Sequence, residues 1–350
     1  MNLSQCRRMA GALIGAALLA AAPAQAEPDV LARPALASAK AASSVMLAIA
    51  QAGERIVAAG ERGIIVYSDD QGASWRQAAV PVSVSLVGLR FANGRDGWAV
   101  GHSGVVLRTR DGGQSWVRQL DGAGAAQRAL DAAKAGQGGA RALADAERLA
   151  AEGPSKPFLD VQFFDEQHGL VVGAFGLMFA TADGGQHWQP AMERLDNPKG
   201  KHLYAVQARG DECYVVGELG AVYYSKDRCQ AFSAVQTPYE GTYFGAVATG
   251  PRSVVVFGMR GHVYWSGDAG ASWRQSEIAT PASLMAGLLL KDGSILLSDE
   301  TGRLFRSTDG GRRFEPAPAA QPAPTTGLLQ TANGSLFLSG VRGITRAALK

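Results

Sequence analysis

The sequence predicts an all-β chain, a seven-bladed β-propeller. Two motifs recurring in phase and the strand content between them predict it. The first is Gly-x-x-Gly, at Gly60/Gly63, Gly101/Gly104, Gly173/Gly176, Gly217/Gly220, Gly258/Gly261 and Gly340/Gly343, with a degenerate copy at Asp299/Gly302. The second follows each glycine pair and reads Ser/Thr-x-Asp-x-Gly-x-x-aromatic. Its six copies centre on Asp70, Asp111, Asp183, Asp227, Asp268 and Asp309. The glycine motif recurs every 41 to 44 residues apart from one interval of 72. Between the motifs run short β-rich stretches, such as Leu86–Phe91, Trp98–Gly101, Val105–Thr109 and Trp116–Gln119. Four strands per repeat of about 40 residues is the signature of a propeller blade.

Before the repeats, residues 1–26 read as a signal peptide. Arg7-Arg8 precede the uncharged apolar run Met9–Ala22, and Ala24-Gln25-Ala26 fits a small-x-small cleavage site. The run is short for a membrane span, which needs about 20 apolar residues. The mature chain, a propeller over residues 27–350, is expected to begin at Glu27 in the periplasm. No later stretch is long and apolar enough to span a bilayer. The net charge of +3 falls to +1 once Arg7 and Arg8 leave. A near-neutral chain has no electrostatic footprint for a phosphate backbone, which argues against nucleic acid.

The last repeat runs out of chain after three strands, and an open ring exposes strand edges. The segment Val30–Ser38 is therefore expected to supply the outer strand of blade seven. The long interval leaves an insertion at about residues 120–156. Its stretches Ala125–Ala135 and Gly139–Ala151 suit helices, broken at Gly136-Gln137-Gly138-Gly139. Leu130, Leu143 and Leu149 give the pair a thin apolar face. This helical hairpin between blades two and three is expected to emerge beside the glycine turns.

In a four-stranded blade the turn between strands two and three opens on the opposite face from the turn between strands three and four. The glycine turns thus form a rim on one face, here called the top, around the central channel. Their inner pairs are Glu61-Arg62, His102-Ser103, Ala174-Phe175, Glu218-Leu219, Met259-Arg260, Glu300-Thr301 and Val341-Arg342. The candidate partner-binding residues are Arg62, His102, Phe175, Glu218, Arg260 and Arg342. Arginine pairs on such a rim can hold a carboxylate through forked hydrogen bonds. With Cys6 in the signal, two cysteines remain. Cys213 lies near the bottom of blade four and Cys229 replaces the motif glycine on the same blade, so a disulfide is expected in an oxidising compartment.

Catalytic signatures are thin. No His-Glu-x-x-His, Gly-x-Ser-x-Gly or phosphate loop occurs, and the five histidines do not pair at ligand spacing. No cofactor, metal or catalytic residue is assigned.

The second motif resembles the Asp-box, or bacterial neuraminidase repeat, whose aspartate and glycine build a turn rather than do chemistry. Sialidases carry it too, with a Phe-Arg-Ile-Pro segment absent here and six blades. Phrases such as Gly97-Trp98-Ala99-Val100-Gly101-His102-Ser103-Gly104, followed by Thr109-Arg110-Asp111-Gly112-Gly113-Gln114-Ser115-Trp116, resemble the photosystem II stability/assembly factor family. Val57-Ala58-Ala59-Gly60-Glu61-Arg62-Gly63 does likewise. The resemblance implies a non-catalytic factor that binds a membrane-protein subunit from the periplasmic or lumenal side through an arginine-bearing surface, here Arg62, Arg260 and Arg342. The helical insertion departs from the photosynthetic members. The competing expectation is an exported glycan-binding or sialidase-like glycoside hydrolase, for which Glu61, Glu218 and Glu300 would be the carboxylates.

Overall fold

Seven sheets follow one another along the chain and pack face to face around a central channel, all antiparallel except that the sixth adds an outermost parallel strand, Glu277–Ile278, on Arg313–Ala317. The computed structural model describes residues 29–317 and 322–347. The expected signal peptide and cleavage site lie outside the described residues. Each sheet starts at its innermost strand: Met46–Ala52, Leu86–Phe91, Phe158–Phe163, Leu203–Arg209, Tyr243–Gly250, Leu284–Leu289 and Thr325–Gln330. Each then runs outward through consecutive antiparallel strands. The core lies between blades as separate clusters. Each mixes one face of a blade with the opposing face of the next.

The Asp-boxes build the turns between third and fourth strands. In all six, the hydroxyl of the first residue (Ser68 in blade one) donates to the aspartate and accepts from the amide four residues on. The aspartate also accepts from a second amide, Ser74 N in blade one. The Ser74 hydroxyl, then its amide, then the Ser68 hydroxyl hold Asp70 down at about 2; Ser272 and Ser266 do the same for Asp268. These carboxylates are spent on the turn.

Cys229 occupies the glycine position of the fourth box, with φ 61°. It is bonded to Cys213, Cα to Cα 5.8 Å, across a sequence separation of 16. We expect reduction, or Cys213→Ser, to lower stability by about 3 kcal/mol through loop closure. Urea denaturation with and without reductant measures this, and coincident curves would refute it.

Among the described residues, the expected segment Val30–Ser38 does not supply the outer strand of blade seven. That sheet has three described strands, Thr325–Gln330, Leu336–Gly340 and Gly343–Ala347. Residues 30–38 instead lie against the linker from blade one to blade two. Ala35 N donates to Val80 O, Ser83 N to Val30 O, and the Gln77 amide bridges Leu36 O and Ser38 N. Leu31 and Ala35 pack on the core between blades one and two. That apolar linker has backbone groups to satisfy, and the arm satisfies them. The ring closes instead by face packing of blade one on blade seven, pinned where Thr326 Oγ1 donates to Met46 O at 2.7 Å.

The insertion forms two helices, α1 (Gly122–Lys134) and α2 (Gly139–Glu152). Asp121 caps α1 by accepting from Gly124 N. Gly136, Gly138 and Gly139 all have positive φ and make the break. The seam is alanine: Ala125, Ala129, Ala133 and Ala146 are buried, while Leu130, Leu143 and Leu149 only flank it. No described helix is long and apolar enough to cross a membrane.

Candidate functional site

The rim owes its shape to close backbone approach. A side chain added at the first glycine of the pair would strike the carbonyl of the residue before the innermost strand, Val45 O at 2.1 Å in blade one and Ser85 O at 2.1 Å in blade two. One added at the second would strike the linker to the next blade, Val82 O at 2.0 Å and Thr280 O at 2.0 Å for Gly63 and Gly261. The residue between them adopts a left-handed conformation in five blades: Arg62, Ser103, Phe175, Leu219 and Arg260, φ 53–57°. That conformation turns these side chains out of the turn. In blade six, Asp299 replaces the glycine and ties the turn by accepting from Thr301 N and Arg303 N.

The first inner residue has a different job. Its amide donates to the carbonyl before the innermost strand in every blade. Where it is glutamate, its carboxylate also accepts the amide of that same residue: Glu61 from Val45, Glu218 from His202, Glu300 from Ser283. Where the partner is proline, at Pro157 and Pro324, there is no amide to satisfy and the rim residue is Ala174 or Val341. The three rim glutamates, including the candidate Glu218, thus bracket strand starts. This weakens the glycoside hydrolase expectation, which needed those carboxylates free.

The remaining candidates point outward. Arg62, His102, Phe175, Arg260 and Arg342 are all exposed. Among the described residues no carboxylate pairs with Arg62, Arg260 or Arg342. Arg62 and Arg342 stand on the neighbouring blades one and seven. Three apolar rim side chains are also exposed, Phe175 by 54%, Leu219 by 57% and Val341 by 47%.

Sequence reasoning missed two features. The first is His202, which is not itself in a rim turn. Its Nδ1 accepts from Phe175 N at 3.1 Å, and its ring lies 4.7 Å from that of Phe175. The row continues to Tyr204 at 6.4 Å and Phe244 at 5.4 Å, and Lys156 sits over the Phe175 ring. Tyr204 and Tyr239, whose hydroxyl donates to Met259 O, thus stand beside the rim turns, although no rim pair contains a tyrosine. The second is a ring of bulges. In every blade one residue just inside the innermost strand is skipped by the pairing register: Leu47, Val87, Leu159, Tyr204, Phe244, Met285 and Thr326. All seven line the central channel, a cavity of about 510 Å³. The signal for them was the residue two places past the strand-start carbonyl, legible only once that carbonyl is known.

A second cavity of about 550 Å³ lies between the helical hairpin and blade three. Ala129, Ala133, Ala146 and Leu149 form one wall, and Phe175 and Met192 the other. Phe175 therefore stands between the hairpin cavity and the row leading to the channel.

Residues 67–134 and 150–295 match the family described as photosynthesis system II assembly factor YCF48. Two curated relatives match over short stretches. The photosystem II assembly lipoprotein Ycf48 of Synechococcus sp. (strain CC9902) is 33% identical over 69 residues, 20% of this chain and 21% of the relative. The chloroplastic photosystem II stability/assembly factor HCF136 of Cyanidioschyzon merolae (strain NIES-3377 / 10D) is 42% identical over 48 residues, 13% of this chain and 11% of the relative. The chain thus matches about a fifth and a tenth of these relatives' lengths. Among solved structures, YCF48 from Cyanidioschyzon merolae superposes with a TM-score of 0.64 at 14% identity, covering 87% of this chain and 95% of that one. A YCF48 structure described as bound to a D1 peptide gives 0.62 at 16%, covering 88% and 94%. The WD40 propeller of Doa1 gives 0.60 at 8%, covering 91% and 95%, so the superpositions speak to the fold. The family match spans more than half of the chain, and with seven blades, six of them carrying an Asp-box, around one channel the chain belongs to the photosynthesis system II assembly factor YCF48 family.

Proposed function

We propose that the chain is a non-catalytic scaffold that binds a membrane-protein subunit on its top face, on the periplasmic side of the membrane. The observation that carries this reading is the rim itself. Arg62, Arg260 and Arg342 project from rigid turns with no carboxylate partner among the described residues, while the rim glutamates are turned back onto the chain. Rigid elements presenting unspent guanidinium groups suit recognition of carboxylates on a protein partner. Family membership supports the reading, as does the D1 peptide bound to the related YCF48. The export signal expected from residues 1–26 supports the periplasmic side. The helical hairpin makes a client other than a photosystem subunit equally compatible with this face.

The test is capture from envelope membranes by tagged protein. Wild type is expected to retain a membrane protein, and the Arg62→Ala/Arg260→Ala/Arg342→Ala variant to lose at least about tenfold of it, the loss of one charge-assisted contact being worth roughly 1.5–3 kcal/mol. Equal recovery by both would move binding off the rim.

A further inference from the structure

We infer that the channel mouth is a pocket for one large apolar side chain of an extended segment of the partner, whose flanking carboxylates meet the rim arginines. This rests on the reading of the chain as a membrane-protein binder. The geometry is repeated seven times. A bulge at the same register in each innermost strand re-aims one side chain, as bulges near binding sites do. Six of the seven re-aimed residues are apolar or aromatic, with Thr326 the exception. None of them is fully buried, and Met285 is 38% exposed. Apolar side chains left half-exposed in one concave ring mark an interaction site rather than a core.

The residues immediately past the bulges are Ala or Gly in six blades. At Gly88, Gly245 and Gly327 an added side chain would meet atoms of neighbouring strands. Small residues there keep the cavity open beneath the ring, at about 510 Å³. Roughly 150 Å³ is enough to hold a benzene ring in an apolar protein cavity, so the mouth has room for an aromatic side chain.

Two observations select the occupant. The aromatic row Phe175–His202–Tyr204–Phe244 continues the mouth across the top face toward the hairpin, giving a track and not an isolated hole. Around the mouth the rim glutamates and the channel's Asp160 accept backbone amides, and the charged rim side chains left without a partner among the described residues are Arg62, Arg260 and Arg342. A small apolar ligand would use the hole and leave both the track and the arginines unused. An extended acidic peptide with one large apolar residue uses all three.

The probe is a short fluorescein-labelled Gly-Ser peptide with flanking aspartates and one central Phe, beside a matched peptide with central Ser. By anisotropy, wild type is expected to bind the Phe peptide about tenfold or more tighter, the gain from burying such a side chain. In Phe244→Ser/Met285→Ser that preference should vanish. In the rim arginine variant both peptides should weaken while the preference stays. Equal binding of the two peptides by wild type, or a preference unchanged in the mouth variant, overturns the inference, and the wild-type comparison does not depend on the variant folding. Binding of glycans but not peptides, lost in the mouth variant, also overturns it. Membrane capture separates the two readings. If the mouth variant captures the membrane protein as wild type does, the pocket fails and the scaffold reading stands. If neither captures one, the scaffold reading fails and takes the partner class with it.

Discussion

Gly261→Val is expected to cost more than about 4 kcal/mol, a loss that few single substitutions reach. Two costs combine at this position. The backbone has φ 73°, a conformation that a β-branched residue strongly resists. In addition, the new Cβ would stand 2.0 Å from Thr280 O in the linker to blade six. That oxygen belongs to a backbone, so it cannot swing away like a side-chain tip, and the linker or the turn must shift. Gly334→Ala supplies the contrast. It has φ 87° with nothing within 4 Å of its Cβ, so it bears only the conformational cost, about 1 kcal/mol. Arg260→Gly, one residue away, removes a side chain from a left-handed position and should be neutral or slightly stabilising. Urea midpoints for the three variants test the order. If Gly261→Val matched Gly334→Ala, close approach would not be the reason for the second glycine.

The repeats made most of this architecture legible, because each motif residue does the same local job in each blade. The Ser68–Asp70–Gly72 turn is self-contained, so its spacing along the chain is enough to read it. The glycine turns are nearly so. What escaped reading involves partners outside the motif. Glu218 looks like a free rim carboxylate until His202 N is found beneath it. Every rim glutamate, as Glu61 with Val45, stands opposite a residue that has an amide to give, and opposite Pro157 and Pro324, which have none, stand Ala174 and Val341. This pairing links positions about 16 residues apart and is invisible to a motif of four. The N-terminal arm escaped for a related reason. Counting strands showed that blade seven lacked one, but the Gln77 side chain and the backbone of Val80 and Ser83 offered residues 30–38 partners that counting does not weigh. The bulge ring escaped because a period-two reading of the innermost strands assigns Tyr204 and Phe244 to no face in particular. A skipped residue shows only in the pairing.

Trp98→Ala is expected to cost about 3–5 kcal/mol, the range for truncating a large buried aromatic. Trp98 is wholly buried in the second strand of blade two and lies against Phe163 of blade three, planes within 7° and centroids 3.4 Å apart. Its other neighbour raises the cost. Arg108 lies 5.1 Å from the ring, buried, with one guanidinium nitrogen on Asp96 at 3.0 Å and another on Gly184 O at 2.8 Å. Trp98 Nε1 shares that carbonyl at 3.4 Å. Removing the indole takes away the surface that supports a buried cation and opens a cavity between two blades. Trp98→Phe keeps a ring against Phe163 and should lose about half as much. The same cluster contains Ala125, Ala129, Ala133 and Ala146, which seat the helical hairpin. The alanine variant should therefore loosen the hairpin as well as lower the urea midpoint. Hydrogen exchange in residues 122–152 should rise in Trp98→Ala well before global unfolding, while exchange in blade six stays at its wild-type rate. A uniform rise across all blades would mean that the ring unfolds as one unit and that this interface carries no special share of the insertion's anchoring.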